Sequence, residues 1–158
     1  MVRTLAARIN KDYAGQELIV VGVLRGAMIF LADLIRELTM PIKLDFIIVS
    51  SYGVETNSSG VVLMVKDIDF DIEGKHVLIV EDLIDTGLTL NYLVELFQTR
   101  KPASLNISAA FNKPSRRKIA LEAKYVGIDL EDDFIVGYGL DCAHLYRNLP
   151  DVHIMKEG

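Results

Sequence analysis

One cysteine, Cys142, stands alone in the chain, so no internal disulfide can staple the fold. Cysteine this scarce fits a reducing cytoplasmic setting, which is the expected location. Long apolar runs are also missing. None approaches the ~18 residues that a membrane helix needs, and the N-terminus has no signal-peptide layout, so no membrane association is expected. Nor is there an excess of basic charge: 17 Lys and Arg stand against 22 Asp and Glu, a formal net charge of −5. That balance argues against a general nucleic-acid binder, and no nucleic-acid partner is expected. A phosphate site would have to gather its cations locally, and outside the obvious helices the candidates are Arg25, Lys113, Arg116, Arg117 and Arg147. Several motifs are absent too. There is no P-loop, and Gly137-Tyr-Gly139 lacks the third glycine of a dinucleotide fingerprint. His76, His144 and His153 have no mutual metal-ligand spacing, and no Ser/His/Asp or Cys/His arrangement can be drawn.

What the chain does have is apolar content. Of its 158 residues, 51% are hydrophobic, enough for one domain that buries roughly 70% of its extended surface on folding. Residues 2–14 read as an amphipathic helix with Leu5, Ile9 and Tyr13 on one face. Leu18 to Leu24 is a strongly apolar strand, broken at Arg25-Gly26. Ala27 to Leu38 is a helix with Ile29, Phe30, Ala32, Leu34 and Ile35 inward or at its margins, and Ile42 to Ser50 is a further strand. This β-α-β order implies a parallel sheet. Residues 53–60 are small, polar and bracketed by glycines. Composition leaves a plain hairpin connection as open as a closing lid, to which Ser51 and Tyr52 would bring a hydroxyl and an aromatic. Val61 to Val65 reads as a strand paired with the one before that loop. Asp67 to Glu73 alternates acid and apolar residues, but Gly74 falls at the eighth position, not the sixth that a calcium loop needs. It reads as a solvated turn with its apolar side chains tucked inward. Leu105 to Phe111, Tyr125 to Ile128 and Phe134 to Tyr138 are further strand candidates, and no internal repeat or low-complexity segment interrupts them. The expected architecture is a single α/β domain over 1–158 with a mostly parallel central sheet flanked by helices, its ligand sites at the strands' C-terminal ends.

The most informative stretch runs from Val77 to Thr89. Four apolar residues, Val77 to Val80, mark a strand buried on both faces. Glu81 and Asp82 follow, then a polar turn of Asp85, Thr86, Gly87 and Thr89, and then Leu90, Leu93, Val94 and Phe97 at helical spacing. Free N–H groups at a helix start and two hydroxyls converge on an anion there. Carboxylates beside a phosphate would repel it, yet they suit a sugar's hydroxyls or a Mg²⁺ ion. A phosphorylated sugar with a metal is the physical reading. Asp85-Thr-Gly87 also matches an aspartic protease's catalytic turn, but that chemistry needs two such aspartates sharing a proton and no helix directly behind.

Along its full length this stretch resembles the phosphoribosyl-pyrophosphate motif of type I phosphoribosyltransferases. Leu24-Arg25-Gly26, Ser51-Tyr52, Lys113, Phe134 to Tyr138, Leu140-Asp141 and Tyr146 to Leu149 fall in the order seen in the hypoxanthine phosphoribosyltransferases of that family. The resemblance implies the type I fold with a small hood and a flexible lid at about 51–61. It implies transfer of a 5-phosphoribosyl group from phosphoribosyl pyrophosphate to hypoxanthine, with guanine as a further base, giving IMP or GMP and pyrophosphate with Mg²⁺. By the same resemblance Asp85, Thr86, Gly87, Leu88 and Thr89 cradle the 5′-phosphate, while Glu81 and Asp82 hold the ribose hydroxyls, directly or through Mg²⁺. Asp85 exchanges the proton at N7 of the purine. Arg25, Gly26 and Arg147 bind pyrophosphate, Lys113 donates to the 6-oxo group, Phe134 stacks on the base, Ile135 meets its other edge through the backbone, and Asp141 helps hold a second metal. Ser51 and Tyr52 belong to the lid. A homodimer or homotetramer is the implied assembly.

Two departures from the family pattern stand out. Lysine is usual where Arg25 stands, and arginine presents a planar fork in place of a point charge. The family often holds the peptide bond before this residue cis, so a strained Leu24–Arg25 bond is expected. Relatives usually carry an extra N-terminal segment in the hood. The hood here is therefore expected to come mainly from the C-terminal part, unless the native start lies upstream. The competing reading is a phosphoribosyltransferase-like regulator that binds nucleotides or RNA without turnover.

Overall fold

Residues 1–51 and 62–156 are described by a computed structural model. Strand β1, Leu18–Leu24, is buried from Leu18 to Val23 and sits in the middle of a six-stranded sheet. It pairs in parallel with β2 (Ile42–Ser51) on one side and β4 (His76–Ile84) on the other. The order β3-β2-β1-β4-β5-β6 is completed by β3 (Val62–Lys66), β5 (Ser104–Asn112) and β6 (Tyr125–Asp129). Only β3 runs antiparallel, against β2, as expected for a strand returning from a loop.

Helices cover both faces, which is why the central strands are apolar without alternation. Leu18 and Val20 of β1 and Leu78 and Val80 of β4 point to α1 (Val2–Asp12) and α2 (Met28–Glu37), where Leu5, Ile9, Phe30 and Leu34 meet them. Ile19, Val21, Val77 and Ile79 point the other way, to Leu90, Leu93 and Phe97 of α3 (Leu88–Thr99). Fully burying a side chain such as Phe97 or Leu93 is worth about 1.5–3 kcal/mol, so these two layers carry most of the fold's stability. On α2 Leu31 joins Phe30 and Leu34 on the inward face, and Ala32 is exposed, because a helix of only ten residues presents one narrow stripe to the sheet.

The acidic turn after β3 is organised by a buried carboxylate that periodicity did not reveal. Asp45 of β2 is 3% exposed and accepts hydrogen bonds from the backbone N–H groups of Phe46 (2.7 Å), Asp69 (2.7 Å) and Phe70 (3.1 Å), with the Lys66 ammonium 3.6 Å away. Burial alone would raise its pKa, but those donors outweigh it and hold the carboxyl below its ordinary value. Ile72 is tucked into the core as the sequence suggested, whereas Phe70 is exposed.

Beyond β6 the chain folds back over the C-terminal ends of the strands. The expected strand at Phe134 to Tyr138 is shorter, only β7 (Ile135–Val136), and it pairs with an unanticipated β8 (His153–Ile154). The reason is backbone geometry: Gly137, Tyr138 and Gly139 all take positive φ, which ends any extended run. The Tyr138 hydroxyl donates to Asp33 of α2 at 2.7 Å, and its ring meets Phe111 edge-on, tying this layer to the main body. The lid expected at about 51–61 falls outside the described residues except for Ser51, whose backbone closes β2.

Candidate active site

Strand β4 does not stop at Val80. It continues through Glu81 and Asp82 to Ile84, because β5 still pairs with it there, Leu83 opposite Phe111 and Ile84 opposite Asn112. On the other side the ladder with β1 ends at Gly22 opposite Val80. The acidic pair therefore lies where one neighbour has turned away, which opens a crevice at the strand ends of the kind α/β sheets use for ligands. A cavity of about 230 Å³ occupies it, lined by Glu81, Asp82, Asp85, Thr86, Gly87 and Thr89 among others.

The β1 side of the crevice comes very close. The Leu24–Arg25 peptide bond is cis, in line with expectation, and Gly26 follows it. A Cβ placed on Gly26 would lie 1.6 Å from Asp82 Oδ2, so only glycine lets this loop approach the carboxylate. Arg25 is exposed beside it, and among the described residues it forms no ion pair.

Glu81 is 8% exposed. Burial, and then the neighbouring Asp82 carboxylate, push its pKa well above the ordinary value. The local hydrogen bonds do not relieve this: the Asp82 amide donates to Glu81 Oε1 at 3.1 Å, and the Leu83 amide donates to Asp82 Oδ1 at 2.7 Å. Two adjacent carboxylates with so little neutralisation suit a cation or sugar hydroxyls. Among the described residues no third His, Cys, Asp or Glu joins them as a metal cluster. The pair still fits Mg²⁺, which usually takes one or two carboxylates and completes its shell with substrate phosphates and water.

The turn that follows has the geometry of an anion cradle. Gly87 caps α3 at φ +85°, a conformation that glycine adopts without penalty. The first N–H groups of a helix have no intrahelical partner and point outward; here Thr86 Oγ1 engages only the Leu88 amide, at a long 3.4 Å. Asp85 does not face the cradle unaccompanied. Arg116 Nε donates to its Oδ1 at 3.0 Å and lies 3.5 Å from Asp132, and the Asp85 contact raises the guanidinium's pKa. Arg116 had been only one of several loose cations in the sequence. Its place three residues after Lys113 was the one available signal, and without the fold it named no partner.

Lys113 is 6% exposed, and its Nζ donates to the Asp133 carbonyl at 2.6 Å, leaving ammonium protons for another acceptor. That carbonyl adjoins Phe134, which is 54% exposed, an unusual setting for a large aromatic. Ile135 is buried and carries its backbone in β7. Arg147 and Asp141 pair with one another: Arg147 Nη2 lies 2.7 Å from Asp141 Oδ1, and Nη1 donates to the Gly139 carbonyl at 2.7 Å. The His144 amide takes the other Asp141 oxygen at 2.9 Å. Asp141 is thus engaged by protein groups on both oxygens and is not brought to Glu81 and Asp82. The fold assembles Arg25, Gly26, the 81–89 turn, Lys113, Phe134 and the 139–147 loop around the same end of the sheet; Tyr52 and the Ser51 side chain lie outside the described residues.

The phosphoribosyl transferase domain family matches residues 1–143. The chain is 48% identical over 155 residues to a hypoxanthine-guanine phosphoribosyltransferase of Bacillus subtilis, covering 98% of this chain and 86% of that one. Among solved structures, a hypoxanthine-guanine phosphoribosyltransferase of Bacillus anthracis aligns with TM-score 0.94 and 48% identity over 98% of this chain and 91% of that one. A Trypanosoma cruzi hypoxanthine phosphoribosyltransferase, a lysine-to-arginine mutant in a ternary substrates complex, aligns with TM-score 0.92 and 42% identity over 98% and 88% of the two chains.

Proposed function

The chain belongs to the phosphoribosyltransferase family, and on that premise we propose that it transfers the 5-phosphoribosyl group of phosphoribosyl pyrophosphate to hypoxanthine, and to guanine, in purine salvage. The products are IMP or GMP and pyrophosphate. One observation carries this reading: the cavity lined by Glu81 to Thr89 at the end of β4 unites a carboxylate pair, a proton acceptor and a helix-start cradle in a single crevice.

Each residue then has a task. Thr86, Gly87, Leu88 and Thr89 bind the 5′-phosphate through backbone N–H groups and hydroxyls at the start of α3. Glu81 and Asp82 orient the ribose, and they are the residues that would hold Mg²⁺, which supplies charge neutralisation for the pyrophosphate when bound. Breaking the C1′–oxygen bond leaves oxocarbenium character on the ribose and negative charge on the departing pyrophosphate. Arg25 and Arg147 meet that negative charge, with the Gly26 loop providing close backbone approach. Phe134 offers its exposed face to the purine, Lys113 donates to the 6-oxo group, and the Ile135 backbone borders the other edge. Asp85, steadied by Arg116, accepts the proton that leaves N7 as the new C–N bond forms. Asp141 stays within this proposal as a residue near the pyrophosphate whose carboxylate holds Arg147 and, once Arg147 turns to the pyrophosphate, would help hold a second metal. Ser51 and Tyr52 belong to the proposed water-excluding lid.

A cytoplasmic setting and a homodimeric or homotetrameric state belong to the same proposal. No described helix is long and apolar enough to cross a membrane. Light scattering reads the assembly directly. The activity test mixes the protein with phosphoribosyl pyrophosphate, Mg²⁺ and each purine in turn, and follows nucleotide formation. Turnover with hypoxanthine and guanine is expected. Tight nucleotide binding with no turnover on any base overturns the enzyme reading in favour of a regulator.

A further inference from the structure

The six residues after β5 lie along the phosphate turn as a strap. The Lys113 amide donates to the Ile84 carbonyl at 2.9 Å, Arg116 Nε to Asp85 Oδ1 at 3.0 Å, and the Lys118 amide to the Thr86 carbonyl at 3.0 Å. Between these contacts Arg117 packs against Gly87: a Cβ placed there would lie 3.1 Å from both Arg117 Cδ and Nη1. Four consecutive residues of the turn, Ile84 to Gly87, are thereby braced from one side.

Arg117 differs from the other cations of the strap: Lys118 is exposed to solvent, whereas Arg117 is half-buried against the turn. Arg116 is neutralised by Asp85 and Asp132, and the Lys113 ammonium donates to a carbonyl. Arg117 forms no ion pair with a carboxylate among the described residues. Its Nη2 donates to Asn112 Oδ1, whose amide in turn donates to Asp129 at 2.7 Å, and its Nη1 is buried with no hydrogen-bond partner. Burial lowers the guanidinium's pKa somewhat, with Asp85 opposing that shift, but an arginine starts so high that it stays charged. Meanwhile the cradle, from Asp85 to Thr89, has no cation of its own and three carboxylates within its lining. A phosphate dianion entering there needs positive potential from behind.

We propose that Arg117 is a positioning residue for the 5′-phosphate: seated against Gly87, it fixes the turn and supplies the uncompensated charge behind the cradle. The role rests on assigning the cradle to the sugar's phosphate, and the test separates the two. Arg117→Met keeps an unbranched stem against Gly87 and removes the guanidinium and its charge, and Arg117→Lys restores a charge. For the full chain and both variants, the dissociation constants of IMP and of inosine, which lacks only the phosphate, are measured alongside thermal stability and the KM values for both substrates. The methionine variant is expected to bind IMP about tenfold more weakly, the scale of one partly buried charge interaction, with inosine unchanged within about twofold. KM should rise for phosphoribosyl pyrophosphate and not for hypoxanthine, and the lysine variant should recover most of the loss. Equal weakening toward IMP and inosine, or no weakening toward either, overturns the role. If the parent chain itself binds IMP no tighter than inosine, the phosphate assignment falls, and the role of Arg117 falls with it.

Discussion

Asp85 and Gly26 show how much a single position can decide at this site. Asp85 lines the cavity, paired with Arg116. Asp85→Asn preserves its shape and removes its ability to take a proton. The expected outcome is a fall in kcat of about 10²–10⁴ with phosphoribosyl pyrophosphate affinity largely retained. Steady-state kinetics together with a direct binding titration check it, and equal losses in both would make Asp85 a binding residue only. Gly26→Ala acts by collision: the new methyl would sit 1.6 Å from Asp82 Oδ2, so either the loop or the carboxylate must move. A displacement on the order of 1 Å at a reacting centre costs about 10²-fold in rate, and that loss in kcat/KM should appear with little change in melting temperature. The first residue could be named from the sequence because its motif is local. The second could be placed in a loop but not against Asp82, since the contact joins β1 to β4 across the sheet.

At the scale of elements, the turn between β3 and β4 depends on Asp45. Its folded pKa is held below its unfolded value, so its contribution is fully present above the unfolded carboxylate pKa of about 3.9 and is lost as pH falls through the lower folded value. Asp45→Asn should cost roughly 1–3 kcal/mol at neutral pH, because three backbone donors lose their charged acceptor. Urea unfolding at pH 7 and again below pH 4 tests this; the gap between parent and variant should narrow in acid. A gap independent of pH would mean that the carboxylate's charge does no stabilising there. Most elements were legible from their own patterns: β1, α3 and β5 lie within a residue or two of where apolar runs and helical spacing put them. The shortened β7 and its partner β8 were not, because a two-residue strand has no period and its ladder joins residues far apart in sequence.

For the molecule as a whole, substrate should act as a thermodynamic brace. Anything that binds only the folded chain stabilises it by RT ln(1 + [L]/Kd), about 2.7 kcal/mol at a hundredfold excess over Kd. For a chain of this size each kcal/mol is worth roughly 2–4 °C, so phosphoribosyl pyrophosphate with Mg²⁺ should raise the melting temperature by about 5–10 °C. Adding a chelator should remove most of that shift, since Glu81 and Asp82 alone would be left facing the pyrophosphate sugar. A shift unaffected by chelation would count against metal held by that pair.

By itself the sequence determined the class of the sheet and the position of the turn between β4 and α3. These are properties of contiguous residues, where hydrophobic runs, a glycine able to take positive φ and a helix start act over a few positions. Only the tertiary structure decided which distant side chains share the crevice. It set Gly26 against Asp82, gave Asp85 to Arg116, closed Arg147 onto Asp141, and laid the strap from Lys113 to Lys118 along the turn. Those pairings arise because parallel strands bring residues dozens of positions apart to one edge of a sheet, and no local pattern records which of them will meet.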